Sequence, residues 1–123
     1  MRTTNQNTIA PVRPWPLPPA CIPHDRLDDP PNGATVVVAG LVMVRQRPGT
    51  AKGVIFITLE DETGIANIVV WAKTYEQFRR AVVAGRLLRV TGQIQRDGDV
   101  VHVIARRIED MSHLLDELAL GRV

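Results

Sequence analysis

The sequence predicts an all-β domain: a small five-stranded Greek-key barrel with a helix between the third and fourth strands and a second helix at the C-terminal end. Three observations predict it. Five runs rich in Val, Ile and Leu between residues 33 and 107 are separated by Gly-, Pro- and Asp-containing turns. One segment between the third and fourth runs changes to helical period. The chain has 123 residues, 45% hydrophobic and 23% charged, which suits one globular domain. Eight of its nine prolines lie at or before Pro31, so the folding unit is shorter than the chain.

Residues 1–32 read as a Pro-rich extended tail or linker. Arg13-Pro14-Trp15-Pro16-Leu17-Pro18-Pro19 favours polyproline geometry, because proline fixes φ and supplies no backbone donor. Asp28-Asp29-Pro30-Pro31-Asn32-Gly33 has the composition of a turn leading into the domain, whose barrel is expected over residues 33–107. Thr35 to Arg47 is a long β-branched strand, with a bulge or sharp bend expected at Gly40 so that one strand serves both sides of the barrel. Pro48 to Gly53 is a loop. Val54 to Glu60 and Ile65 to Trp71 form a hairpin across Asp61-Glu62-Thr63-Gly64. In Lys73 to Val83, Tyr75, Phe78 and Val82 fall at helical spacing, and Gly85 supplies a stop. Arg86 to Arg96 and Asp99 to Arg107 form a second hairpin around Asp97-Gly98. Residues 108–123 hold a C-terminal helix, with Met111, Leu114, Leu115 and Leu118 on one face.

Three strands, a helix and two strands is the connectivity of an OB-fold, a barrel whose second and third strands and flanking loops bind oligonucleotides or oligosaccharides. Charge by segment fits a polyanionic ligand. Residues 33–107 carry eleven basic against six acidic side chains, whereas residues 108–123 carry four acids against Arg122. A local positive field attracts phosphate even when net charge is only +2. The single Cys21 cannot close an intramolecular disulfide, and the longest apolar run, Val36 to Val44, is too short for a membrane helix. A cytoplasmic setting is therefore expected, with no cofactor and no metal.

Specific motifs narrow this class. Val38-Ala39-Gly40-Leu41-Val42, the loop segment RQRPGTAKG from Arg45 to Gly53, Thr58-Leu59-Glu60-Asp61-Glu62-Thr63-Gly64 and Val69-Val70-Trp71 resemble the C-terminal OB domain of the bacterial error-prone DNA polymerases, C-family enzymes of damage-induced mutagenesis. The hairpin section alone resembles the broader OB class of tRNA anticodon-binding domains. The resemblance implies a place in DNA repair and translesion synthesis. It does not imply catalysis here, since 123 residues leave no room for palm, fingers and phosphoesterase-like domains. The only D-x-D, Asp97-Gly98-Asp99, lies on a hairpin turn, where backbone chemistry accounts for both residue types. The chain is expected not to be an enzyme.

The candidate nucleic-acid-binding residues follow from alternation and loop position. Ile55, Ile57 and Leu59 share one uniformly apolar face of the second strand, which places Phe56 on the outer face. There it can stack a base or be covered by the end of the first strand or by the terminal helix. Asn67 faces outward on the third strand, where its amide can reach a base edge. Phe56 and Asn67 also resemble the stacking aromatic and neighbouring amide of the anticodon-binding domains. Trp71 reads either as a plug at the barrel end or as a base contact. Arg45, Arg47 and Lys52 flank the first loop, Lys73 follows the third strand, and Arg96 stands at the last hairpin. Tyr75 and Phe78 read as core residues of the helix, and Arg79 and Arg80 as its solvated face or as pairs with the acidic terminal segment. The expected function is a non-catalytic module that binds single-stranded nucleic acid, chiefly DNA. Two alternatives stand beside it: docking on a polymerase or mutasome protein partner, and anticodon-type RNA binding.

Overall fold

The computed structural model describes residues 21–47 and 53–119. Five strands, β1 (Thr35–Gln46), β2 (Ile55–Asp61), β3 (Gly64–Val70), β4 (Leu87–Asp97) and β5 (Val100–Asp110), close into a barrel in the order β1-β2-β3-β5-β4. The β3–β5 pair is parallel and the other pairs are antiparallel. Between β3 and β4 lie α1 (Ala72–Gln77) and α2 (Arg79–Ala84), and α3 (His113–Ala119) follows β5. This is the OB-fold connectivity. No helix among the described residues is long and apolar enough to cross a membrane.

Alternation builds the core. Val36 and Val38 of β1, Ile57 and Leu59 of β2, Ile68 and Val70 of β3, Leu88 and Val90 of β4 and Val103 of β5 point inward and are buried, along with Val82 of α2. Burying each such side chain stabilises the fold by about 1.5–3 kcal/mol. β1 does serve both sides: residues 35–41 pair with β4 and residues 41–46 with β2, so Leu41 faces partners in both. Of the bulge or sharp bend expected at Gly40, the bulge lies elsewhere, while the change of partner does fall beside it, at Leu41. The register shift falls at Met43, between Val42 and Val44, and Gly40 instead marks a close approach. A Cβ there would stand 2.7 Å from the Glu60 carbonyl oxygen, backbone that cannot move aside cheaply.

Other boundaries moved for local reasons. The expected single helix is two, because Phe78 (φ −120°, ψ 32°) leaves the helical region and α2 restarts at Arg79. The last hairpin turns one residue later than expected: Asp97 pairs with Val100, which leaves Gly98 and Asp99 at the centre, and Gly98 takes φ +63°, a conformation that suits glycine. β5 continues three residues beyond Arg107, to Asp110.

The lead-in is fastened to the barrel. The Ile22 N–H donates to the Val37 carbonyl at 2.8 Å, Leu27 is buried in the core, and His24 sits in a 3-10 turn (His24–Arg26) beneath the β2–β3 hairpin. Asp61 ties the two together. Its carboxylate accepts from the Thr63 N–H (2.8 Å), the Thr63 hydroxyl (2.7 Å), the Gly64 N–H (3.0 Å) and the His24 N–H (2.9 Å). Partial burial raises its pKa, but the hydrogen bonds from Thr63 and His24 outweigh that and hold it below the usual aspartate value. Thus residues 21–32, expected within an extended tail, behave as part of the folded unit.

Candidate nucleic-acid interface

The outer face of β2, β3 and β5 carries two cross-strand rows. In the first, Gln46, Phe56, Val69 and Ile104 stand side by side; in the second, Thr58, Asn67, His102 and Gln95. Val54, Val69 and Ile104 form a small apolar cluster separate from the barrel core. Phe56 stands beside it with 37% of its surface exposed, next to Gln46 at the end of β1. Asn67 is half-buried and lines a depression of about 250 Å³ with His24, Leu27, Asp28, Asp99 and Val100. Neither row contains a carboxylate, and every side chain of the polar row can both donate and accept hydrogen bonds beside an apolar surface. Such a face can stack a base and bond its edge.

The sequence-derived cations divide sharply once their partners are known. The Arg45 side chain lies on the inward phase of β1, opposite Ile57, and reaches the end of α2. Its Nε donates to the Val82 carbonyl at 2.6 Å and its Nη2 donates to the Gly85 carbonyl. That satisfies carbonyls a helix end leaves unpaired. Arg96 turns back on the lead-in: its Nη2 donates to the Asp28 carbonyl at 2.7 Å and to the Pro30 carbonyl, and Nη1 lies 3.5 Å from the Asp28 carboxylate. Both guanidiniums serve the fold, and the β4–β5 turn that was to contribute Arg96 presents Asp97 and Asp99. Arg47 and Lys73 are exposed and make no ion pair among the described residues. Lys52 lies outside the described residues.

Trp71 is 53% exposed, which excludes the plug reading. Val82 closes that end of the barrel, with Tyr75 and Phe78 packed on the same core. Trp71 instead begins α1, its carbonyl accepting the Tyr75 N–H at 2.9 Å. Tyr75 is more than the core residue its spacing suggested. The Arg47 guanidinium carbon lies 4.9 Å from its ring centroid and that of Arg79 lies 5.2 Å away. Helical period assigns Tyr75 to the interior and Arg79 to solvent, and both readings hold; Arg79, four residues on, is a helical neighbour, and the contact the period could not register is Arg47 from the end of β1.

Comparisons with known proteins agree with this fold. The family model described as "OB-fold nucleic acid binding domain" matches residues 36–111. An error-prone DNA polymerase of Ruegeria pomeroyi is 62% identical over 103 residues, which is 84% of this chain and 9% of that protein. Error-prone DNA polymerase 1 of Agrobacterium fabrum is 58% identical over 84 residues, 68% of this chain and 8% of that protein. The chain thus spans under a tenth of the length of these relatives and is similar to one small part of them. Among solved structures, asparaginyl-tRNA synthetase from Pyrococcus horikoshii, complexed with asparaginyl-adenylate, superposes with a TM-score of 0.64 at 25% identity, over 76% of this chain and 22% of that one.

Proposed function

Because the chain belongs to the OB-fold nucleic acid binding domain family, we propose that it is a non-catalytic module that binds single-stranded DNA across the outer face of β2, β3 and β5. The carrying observation is Phe56, a large aromatic left exposed beside the carboxylate-free row Thr58, Asn67, His102 and Gln95. A base stacked on Phe56 gains about 1–3 kcal/mol, and Asn67 and His102 are placed to bond its edge. Arg47, Lys73 and the exposed Trp71 flank the same face at the β1–β2 loop end, where a backbone would run. Lys52, next to Gly53 in that loop, belongs to the same proposed set. Arg45 and Arg96 do not, being committed to backbone carbonyls. The similarity to error-prone DNA polymerases supports a DNA ligand and a role in translesion synthesis within the cytoplasm.

Fluorescence anisotropy with labelled oligo-dT tests the reading. Binding should weaken steadily as salt rises, since phosphate neutralisation releases counterions. Absence of binding at low salt sinks it. A tRNA loop preferred over DNA of equal length would move the ligand to RNA. Docking on a protein partner has one observation in its favour, an apolar groove of about 580 Å³ between Leu41, Leu114, Leu115 and Leu118, bordered by Glu60 and Glu62. Leu118→Asp should remove such docking and leave oligonucleotide affinity intact.

A further inference from the structure

We propose that Arg47, Tyr75 and Arg79 form a phosphate clamp at the helix end of the barrel, which grips the single strand's backbone where it leaves Phe56. The inference rests on the nucleic-acid reading above and extends its site onto α1 and α2, two elements outside the strand face. Each guanidinium lies about 5 Å from the centroid of the same ring, and neither has a carboxylate within ion-pair distance among the described residues. The ring's π face attracts both cations and holds them close together, although like charges repel. A single strand running past the ring supplies one phosphodiester to each guanidinium, whose planar geometry suits paired donation to phosphate oxygens.

The platform is fixed rather than swinging. Tyr75 packs on the barrel core while its ring meets both arginines. Arg79 follows it by four residues and opens α2, directly after the break at Phe78. Position also fits the strand's path. Gln46 faces Phe56 across the β1–β2 ladder and Arg47 is the next residue, so the clamp begins one step beyond the stacking aromatic. Arg47 and Tyr75 border a depression of about 170 Å³ beside Ile55 and Val83. At the other end of the face, Asp97 and Asp99 stand on the β4–β5 turn and Arg96 is turned away. The phosphate backbone is therefore drawn toward the helices.

Two probes separate the clamp from the stacking face: oligo-dT and an abasic phosphodiester strand of the same length, each titrated by anisotropy across a salt series. The Arg47→Ala/Arg79→Ala double variant should weaken both probes about tenfold at low salt and reduce the log K against log salt slope by about 1.4, two phosphate contacts of a single strand. Phe56→Ala should weaken oligo-dT alone and leave the slope unchanged. If the double variant loses its fold by circular dichroism, Arg47→Gln/Arg79→Gln keeps planar groups over the ring and should show the same loss of slope. A wild-type protein that binds oligo-dT with a slope neither double variant changes overturns the clamp and leaves the strand-face reading standing. A wild-type protein that binds neither probe at low salt overturns both.

Discussion

At the α3 end of the barrel, arginines are bonded to acids: Arg89 meets Glu109 through two hydrogen bonds (2.6 and 2.9 Å), Arg107 approaches the same carboxylate at 3.4 Å, and Arg86 reaches Asp116 at 2.9 Å. At the β1–β2 loop end, Arg47, Lys73 and Arg79 are exposed with no ion pair among the described residues. The +5 surplus of residues 33–107 is thus unevenly available. Charge answered by an acid or a carbonyl steadies the fold, and charge left unanswered beside an exposed aromatic is what a polyanion can use. A sequence-wide count cannot separate the two; a list of partners does.

The largest effect should come from the open end. Phe56→Ala removes the stacking surface and is expected to lower oligo-dT affinity by about 1–3 kcal/mol, roughly 5- to 150-fold, while stability falls by about 1–2 kcal/mol, less than for a fully buried ring. Anisotropy and a urea titration on the same preparation check both halves. Equal affinity would remove Phe56 from the interface and weaken the contrast between the two ends.

Arg45→Ala should differ in sparing binding, although Arg45 is an exposed residue like Arg47 and lies two residues from it. Losing its bonds to Val82 and Gly85 leaves two carbonyls at the end of α2 without their charged donor, and stability should fall by about 1.5 kcal/mol. The salt slope of oligonucleotide binding should stay at the wild-type value. A reduced slope would show that Arg45 exchanges its carbonyls for phosphate on binding.

Arg89→Ala tests the paired end, and its effect depends on pH. Hydrogen bonding from Arg89, the dominant influence, holds the Glu109 carboxyl below its ordinary value near 4.5 against the opposing effect of burial. A folded-state pKa below the unfolded one means stabilisation that is complete above the unfolded pKa and is lost as pH falls through the folded value. The variant should therefore be about 1 kcal/mol less stable than wild type at neutral pH, with the gap closing below about pH 4. Urea midpoints across that range decide it; a gap that persists in acid would assign the loss to packing of the arginine stem. Asp61 and Asp110 are lowered as well, through hydrogen bonds from Thr63 and His24 and from Ser112 that exceed the burial effect, so the wild-type fold should weaken in the same acid window.

The elements that were legible in the sequence share a cause: each is encoded by neighbours in the chain. Alternation through Ile55, Phe56, Ile57 and Leu59 sorted the inner face from the outer, and a single change of period located the helical insert. Asp61, Thr63 and Gly64 announced a turn that the Asp61 carboxylate closes. What escaped depends on contacts across long stretches of chain. Arg45 finds its carbonyls about 40 residues away and Arg96 finds its own nearly 70 residues upstream. Until the chain folds, nothing distinguishes them from Arg47. His24 and Leu27 were hidden for the same reason, since a Pro-rich composition describes local stiffness and says nothing about what the lead-in packs against. The Tyr75 stack needed Arg47, brought from the end of β1.

Lys73→Ala should give the smallest effect and the sharpest separation of binding from stability. Lys73 lies in the first turn of α1, where no acidic residue is present and where the positive end of the helix dipole disfavours a cation. Alanine there removes that repulsion and has higher helix propensity, so stability should rise by about 0.3 kcal/mol. If Lys73 meets a phosphate, the same substitution should lower the salt slope by about 0.7 and weaken oligo-dT roughly two- to threefold at low salt. A residue that merely decorates the surface would raise stability and leave the slope alone. Stability and affinity moving in opposite directions would mark Lys73 as a cation kept at a helix end that disfavours it for the ligand it meets.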